Sequence, residues 1–376
     1  MAAFTGTLNT NEFYTGLFNA FKYIITYACQ LDGLDDSLVT KFRADGGLYR
    51  DKLVWTAADI ATSREWDPTD SNVLAIEQKA DPKQQQIVVD QKRQIAMTFD
   101  HYLSKRAWMD ENTFNQFNAV VQSIVEDTKR VYDQRLVDVA VGTMEAAMPF
   151  GKGSGQSQSV AIKSTDSEDL RVRKVGKKIA NILADLKDTT RDYNDYGFMQ
   201  SYNKDQLMIV WNINYLNEFN YVDLPVIFHK DGIINFVSDQ LPGRYFGRAI
   251  TADDIGSGKV IGSDGAYDST KGTLHVAREL TYNDVHYFAG DKLSPSGSYV
   301  AVVGGLEASD VYLEDPSIIC KIMHKDSIKY LSGFETSTEF VNPKNHTSNR
   351  YLTWMYAKPD YLRNFPLITL REVSGD

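Results

Sequence analysis

The sequence predicts a mixed α+β chain in which one long helix is flanked by β-strands. Residues 87–99 alternate apolar and polar side chains, which is typical of a half-buried strand. Residues 110–149 hold helical apolar spacing over an unusual length, and short apolar runs at 207–211 and 298–303 are typical of buried strands. Helix and strand segments therefore interleave along the chain.

The first expected element is an amphipathic helical segment at residues 11–31. Its apolar side chains recur at spacings of three and four, at Phe13, Leu17, Phe21, Ile24, Ile25 and Ala28. This segment packs either on its own domain or on a neighbouring subunit. Phe13 and Phe21 are therefore candidate contacts between subunits.

The second element is a long ribbon of two strands, at residues 48–57 and 87–99. A polar connection broken by proline joins them, and a connection this long inside a compact domain tends to be functional. Because an isolated two-stranded ribbon is only marginally stable in water, we expect it to lie on another subunit. The candidate contacts on it are Trp55, Trp66, Lys79, Lys83 and Ile87.

The third element is the long helix. Asp110 is a good N-cap and Glu111 suits the first turn, where the helix dipole favours a carboxylate. Pro149 is the first residue that clearly stops the pattern. A helix of about 35 residues would be about 50 Å long, well beyond an average globular helix.

A Gly- and Ser-rich segment at residues 151–159 predicts a flexible joint and the best boundary in the chain. Thr165 and Glu168 then suggest a capping box for a second helix. The apolar positions of that helix are Val172, Val175, Ile179, Ile182, Leu183 and Leu186.

The rest of the chain mixes short elements. We expect a strand at 207–211, a short helix around 215–219, an extended segment at 224–228 and a strand at 298–303. Two or three further strands should occupy residues 318–372, including 351–356 and 367–370.

Composition excludes several classes of protein. The 376 residues are 43% hydrophobic and 24% charged, as in an ordinary globular protein, and the formal net charge of -10 argues against a basic surface that wraps nucleic acid. We find no signal peptide, and the best apolar stretch is far shorter than the roughly 20 residues that span a bilayer. Cys29 and Cys320 are isolated, so we expect two buried free thiols.

Motifs that would carry chemistry are missing from the sequence. The segment Gly256–Lys259 lacks the first glycine of a phosphate loop, since Asp253 stands there, and Val260 replaces the required Ser or Thr. No histidine pair has zincin spacing; a meeting of His275 and His286 across a sheet is the one alternative, and an ordinary hydrogen-bonded or surface histidine is the expected interpretation of each. We therefore predict no catalytic residue, no cofactor and no metal.

A dense basic cluster comprises Arg171, Arg173, Lys174, Lys177 and Lys178. It is interpreted either as a solvated helix face or as a patch that touches DNA or an acidic neighbour.

The order of these elements resembles the major capsid protein fold of tailed bacteriophages, the Hong Kong ninety-seven type. The run at 92–109 that leads into the long helix, and the stretches at 211–212 and 224–232, are similar to segments of such proteins. The resemblance implies five parts: an N-terminal arm at 1–45, an E-loop ribbon at 46–100, a peripheral domain with a spine helix at 101–150, an axial domain at 151–315, and returning peripheral strands at 316–376.

The resemblance also implies function and partners. The chain would be a structural protein of the virion that forms hexamers and pentamers of an icosahedral head around double-stranded DNA, without sequence-specific contact and without a membrane. It would assemble in the host cytoplasm with a portal and, because the amphipathic arm starts near residue 11, with a separate scaffolding protein.

Some relatives join an E-loop lysine covalently to an asparagine of the peripheral domain. Lys79 or Lys83 with Asn342 or Asn345 would take those roles here, and nothing in the sequence places them together. Asn342 is accordingly a further candidate contact between subunits.

Three alternatives stay open at this point. An encapsulin-type compartment shares the fold and encloses enzymes instead of DNA. An α/β enzyme with an unrecognised carboxylate or tyrosine site would be a compact monomer or dimer. A portal or tail component is a third possibility, although a single long helix beside a ribbon fits a shell better.

Overall fold

The computed structural model describes residues 37–63, 65–66, 81–100, 111–146, 157–221, 237–250, 273–282, 284–293 and 308–375. Within these ranges four α-helices are present: α1 Ser37–Phe42, α2 Glu111–Thr143, α3 Glu168–Lys187 and α4 Ile213–Tyr221. The strands of the same ranges are β1 Arg43–Gly46, β2 Lys52–Ala57, β3 Lys83–Val88, β4 Gln91–Asp100, β5 Ser157–Ile162, β6 Leu207–Asn212, β7 Val237–Leu241, β8 Gly247–Ala249, β9 Leu274–Val276, β10 Leu280–Tyr282, β11 Val285–Tyr287, β12 Val311–Glu314, β13 Ile318–His324, β14 Ile328–Asn342, β15 Thr347–Tyr356, β16 Asp360–Tyr361 and β17 Leu367–Ser374.

The first of two compact units contains the described residues of Met1–Asp51, Val88–Gln134 and Leu331–Lys358. Its sheet has the strand order β1-β14-β15-β4. Strands β14 and β15 form a long antiparallel hairpin, and β15 also pairs antiparallel with β4 along its whole length.

Residues 123–134 of α2 cover one face of this sheet. The ring of Tyr132 meets that of Trp354 edge-on at a centroid distance of 5.9 Å. The Arg93 guanidinium lies 4.8 Å from the centre of the Tyr132 ring, where its charge meets the negative face of the aromatic system. Trp354 is only 2% exposed, so this contact forms the centre of the unit's core.

The second unit contains the described residues of Lys52–Ile87, Arg135–Tyr330 and Pro359–Asp376. Its central sheet has the order β5-β17-β13-β6-β7. Strand β13 is antiparallel to both neighbours, whereas β5 and β7 join the sheet in parallel pairings.

Helix α3 packs its apolar stripe against this central sheet. Ile179, Ile182 and Leu186 are almost fully buried, and they share one core with Ile322 and Ile368 of the sheet. Each such side chain contributes about 1.5–3 kcal/mol on removal from water, so this core is a major source of the unit's stability.

Smaller sheets complete the second unit. Strands β8, β12 and β9 form a three-stranded sheet with a core of its own, β10 pairs with β11, and β2 pairs with β3 in a ribbon. No helix among the described residues is both long enough and apolar enough to cross a membrane.

Several predicted elements are confirmed. The long helix is α2, with 33 residues and a length of about 50 Å, and it ends at Thr143, before Pro149. The second helix is α3, the short helix is α4, and the strands predicted at 207–211, 351–356 and 367–370 are β6, β15 and β17.

The predicted strand boundaries of the ribbon are wrong in two places. Residues 48–50 form a turn instead of a strand, because the Asp51 carboxylate accepts a hydrogen bond of 2.6 Å from the backbone N–H of Leu48 and Arg50 adopts a positive φ of 74°. The single strand expected at 87–99 is broken at Val89, where the chain changes its pairing partner from β2 to β15.

The start of α3 also differs from prediction. Ser167, not Thr165, is the N-cap, and its hydroxyl accepts a hydrogen bond from the backbone N–H of Leu170. Residues 157–159 belong to β5, so they are not part of the expected joint. The predicted segments at 11–31, 224–228 and 298–303 lie outside the described residues.

Candidate assembly surfaces

The ribbon of β2 and β3 combines inward and outward side chains. Trp55 is half-buried and its ring centroid lies 5.5 Å from that of Phe365, whereas Ile87 is 5% exposed in its own subunit. Beyond β2, Ile60 is 57% exposed and Trp66 is 84% exposed. An indole this exposed marks a candidate contact with another molecule.

The remaining predicted contacts are scattered. Lys83 is exposed, and its Nζ lies 2.6 Å from the carboxylate of Asp81. Asn342 is half-buried near the end of β14, and its side-chain oxygen accepts a hydrogen bond of 3.1 Å from the backbone N–H of Lys344. Phe13, Phe21 and Lys79 lie outside the described residues. The role of each as a contact stays a prediction.

The β14–β15 hairpin exposes two consecutive apolar side chains of β14, which strand alternation places on opposite faces. Phe340 is 63% exposed and Val341 is 56% exposed. They precede the turn at residues 343–346, which carries His346 at a positive φ of 51°. Sequence periodicity gave no signal for these two side chains, since the alternation of β14 is too weak to separate the two faces.

The sheet face opposite α2 carries no charged side chain over three central rows of paired residues in the described structure. Register and strand alternation place Thr336, Thr338 and Phe340 of β14, Asn349, Tyr351 and Thr353 of β15, and Gln94, Ala96 and Thr98 of β4 on this face. Two cross-strand hydrogen bonds order it, from Gln94 to Thr353 at 3.0 Å and from Thr98 to Asn349 at 2.7 Å. Depletion of charge is typical of the centre of a protein–protein interface.

A cleft of about 910 Å³ lies within the first unit, lined by α1, β1, α2 and the sheet. Lys129 anchors one wall, with its Nζ 3.3 Å from Asp133 and 3.0 Å from Glu335. Arg350 on another wall lies 3.5 Å from Glu339. Charges of both signs are therefore paired across the cleft, and no single ligand charge is favoured.

A buried polar cluster occupies the central sheet of the second unit. Lys321 is fully buried, and its Nζ donates a hydrogen bond of 2.6 Å to the carbonyl oxygen of Met144. Arg371 pairs with Glu145 and, at 3.3 Å, with Asp315. Burial lowers the pKa of Lys321 to about 7, an effect that Glu145 and Asp315 oppose and Arg371 reinforces. A lone lysine inside an otherwise apolar strand was the sequence signal for this cluster, and periodicity alone did not single it out.

The basic cluster on α3 is largely neutralised within the chain. Arg171 lies 3.2 Å from Glu372, Arg173 lies 3.1 Å from Asp169, and Lys174 lies 2.5 Å from Asp166. These pairings favour the interpretation as a solvated helix face over that of a DNA-binding patch.

The titratable groups of the described residues are paired locally. The Nε2 atom of His275 lies 2.7 Å from the Glu314 carboxylate, and the Nε2 atom of His286 lies 2.7 Å from the Glu279 carboxylate. In the part of the chain that the structure describes, no cluster of three or more His, Cys, Asp or Glu could hold a metal ion. Cys320 is a buried free thiol, and Cys29 lies outside the described residues.

Comparison with known proteins identifies the family. A family model described as "Phi29-like phage major capsid protein" matches residues 54–359, which is most of the chain. The chain belongs to that family. It is thus a tailed-phage major capsid protein, a structural protein of the virion and not an enzyme, and the resemblance found in the sequence is confirmed.

Solved structures support the fold of this capsid protein. A chain of "Capsid structure of Staphylococcus phage Andhra" matches with a TM-score of 0.58 at 8% identity, over 88% of this chain and 83% of that one. A chain of "Structure of head fiber and inner core protein gp22 of native bacteriophage P68" matches with a TM-score of 0.53 at 12% identity, over 88% and 82%. No curated protein matches the capsid protein.

Proposed function

We propose that this major capsid protein assembles into hexamers and pentamers that close into an icosahedral head around double-stranded DNA. The match to the capsid family over residues 54–359 is the observation that carries the proposal. The partners would be further copies of the chain, a separate scaffolding protein and a portal, and assembly would take place in the host cytoplasm.

The ribbon is proposed to be a principal contact between copies. Trp66, at 84% exposed, is its most exposed apolar side chain among the described residues, and Lys83 is an exposed neighbour at the start of β3. Trp55, Ile87, Lys79, Phe13, Phe21 and Asn342 are proposed as further positions at or beside contacts. The charge-poor face of the β1-β14-β15-β4 sheet, together with Phe340, suits contact with another copy because few charges would lose their water there.

DNA would be enclosed without sequence-specific contact. The net charge of -10 disfavours tight binding of phosphates, and Arg171, Arg173 and Lys174 of α3 already have carboxylate partners. A container wall of this kind lets its cargo be packed and released.

The proposal is tested by expressing the chain with and without its neighbouring reading frames. Light scattering after size-exclusion chromatography and negative-stain microscopy should show heads, tubes, sheets or isolated hexamers. Nuclease-protected DNA in particles formed during infection would separate a virus head from an enzyme-filled compartment. A compact monomer or dimer under both conditions, at high concentration, would contradict the proposal.

A further inference from the structure

We infer that Gln85, Trp55 and Asp59 are positioning residues that fix the ribbon of β2 and β3 to the rest of the second unit and so set its direction before subunits meet. The inference rests on the proposed role of the ribbon as a contact between copies. All the contacts that carry it lie within the second unit.

Gln85 fixes strand β3 through both ends of its side-chain amide. Its Nε2 donates a hydrogen bond of 2.7 Å to the carbonyl oxygen of Tyr361, and its Oε1 accepts one of 3.0 Å from the backbone N–H of Arg363. A side-chain amide that satisfies two backbone groups two residues apart has little freedom of position. This strand is thereby held at one fixed point.

Trp55 fixes strand β2 to the same loop. Its ring packs on Phe365 at a centroid distance of 5.5 Å and an interplanar angle of 54°. Phe365 in turn stacks on His324 at 4.3 Å and 11°, and His324 is the last residue of the core strand β13. A row of rings therefore connects the ribbon with the centre of the second unit.

Asp59 holds the chain just after β2. Its carboxylate accepts a hydrogen bond of 2.9 Å from the backbone N–H of Met199 and pairs with Arg191. The Arg191 guanidinium also donates to the carbonyl oxygen of Gly197 at 2.8 Å. The segment that follows β2 is thus bound to a second loop, at residues 191–199.

The loop that receives Gln85 and Trp55 is itself held in place. Leu362 is fully buried and its N–H donates to the carbonyl oxygen of Ser327 at 2.6 Å. Tyr361 pairs with Ile328 in the β14–β16 ladder. The backbone N–H of Asp195 donates to the carbonyl oxygen of Arg363 at 2.9 Å, which joins the two receiving loops.

The consequence concerns the cost of ordering a long arm. A two-stranded ribbon has little stability of its own, so an unfixed ribbon would lose conformational entropy each time it docks. Three contacts along the ribbon remove part of that entropy in the free subunit. Loss of one contact should then slow assembly without unfolding the core.

The test compares Gln85→Glu with Gln86→Ala in the full chain. Gln85→Glu keeps the size of the side chain and loses the donor to Tyr361, whereas Gln86 is an exposed neighbour on the same strand. Hydrogen exchange of the β2 and β3 amides, thermal unfolding of the core and the concentration at which particles form are measured for each variant. For Gln85→Glu alone, we expect faster hydrogen exchange in β2 and β3 and an unchanged thermal transition of the core. The concentration at which particles form should rise on the order of tenfold for this variant.

A second variant protects the test against a folding defect. Asp59→Asn weakens the contact just after β2 and should raise both the rate of ribbon exchange and the assembly concentration. If the wild-type chain assembles and both variants match it while their ribbons exchange faster, the inference is overturned and the proposed function stands. If the wild-type chain stays a compact monomer or dimer both alone and with its neighbouring reading frames, the proposed function itself fails.

Discussion

The Nζ atom of Lys321 donates a hydrogen bond of 2.6 Å to the carbonyl oxygen of Met144, just beyond the end of α2. A cation at this place satisfies a helix-terminal carbonyl and complements the helix dipole. The lysine is nevertheless fully buried, so holding its ammonium group in the charged form costs desolvation free energy.

Lys321→Met should stabilise the protein at neutral pH. Replacing a buried charge by an apolar side chain of similar volume is neutral or stabilising by about 1–4 kcal/mol. Denaturant unfolding at pH 7 measures the effect. A loss of stability of similar size would show that the capping bond to Met144 outweighs the cost of burial.

The same lysine predicts a pH dependence. Its pKa is about 7 in the folded protein, against 10.5 as the ordinary value. Between these values the unfolded chain binds the proton and the folded chain does not, so stability should rise with pH through this window. Lys321→Met should remove this contribution, which unfolding curves at pH 7, 8 and 9 would show as a difference that shrinks with rising pH.

Lowering the pH should reduce the stability of the folded protein through His324. Burial lowers the pKa of His324, Asp326 opposes the shift, and Lys329 and Lys325 reinforce it. The unfolded chain therefore binds a proton below the ordinary pKa of 6.5 while the folded chain resists it, and stability should fall as pH falls below that value.

His324→Phe keeps a ring against Phe365 and should flatten this acid-side decline. Thermal unfolding between pH 7 and 5 compares the two chains. Parallel curves for variant and wild type would show that another group titrates.

The buried hydroxyls of Tyr132 and Tyr356 share a hydrogen bond. Tyr132→Phe and Tyr356→Phe should each lower the free energy of unfolding by about 1 kcal/mol, because each leaves one polar group with a lost partner. The double variant should lose less than the sum of the two. Strict additivity in this double-mutant cycle would show that the bond contributes nothing.

Gly142 should not tolerate a side chain. A Cβ there would clash with the backbone carbonyl of Tyr245, at a cost of about 1–3 kcal/mol, which exceeds the gain of about 1 kcal/mol from helix propensity. Gly46→Ala is the control, since its nearest neighbours would lie at 3.4 Å. Calorimetry should show a lower transition for Gly142→Ala and little change for Gly46→Ala.

Much of the local structure could be predicted from the sequence, because α2, α3 and β15 each bury one stripe or one face and their apolar residues therefore recur with a clear period. Contacts between segments far apart in the chain could not be predicted from the sequence. Gln85 meets Tyr361 and Arg363 across more than 270 positions of the chain, and a lone glutamine on a polar strand carries no pattern that reports its partner. The break at Val89 was missed for a related reason, since a change of pairing partner leaves the apolar alternation almost intact.

The two compact units each consist of three separate segments, so the chain passes from one unit to the other five times. The last segment of the first unit begins at Leu331 and that of the second at Pro359. During synthesis on a ribosome, neither unit can be completed until its last segment has emerged, and the early strands must wait with their edges unpaired. A nascent chain stalled before Leu331 should therefore be a strong target for chaperones.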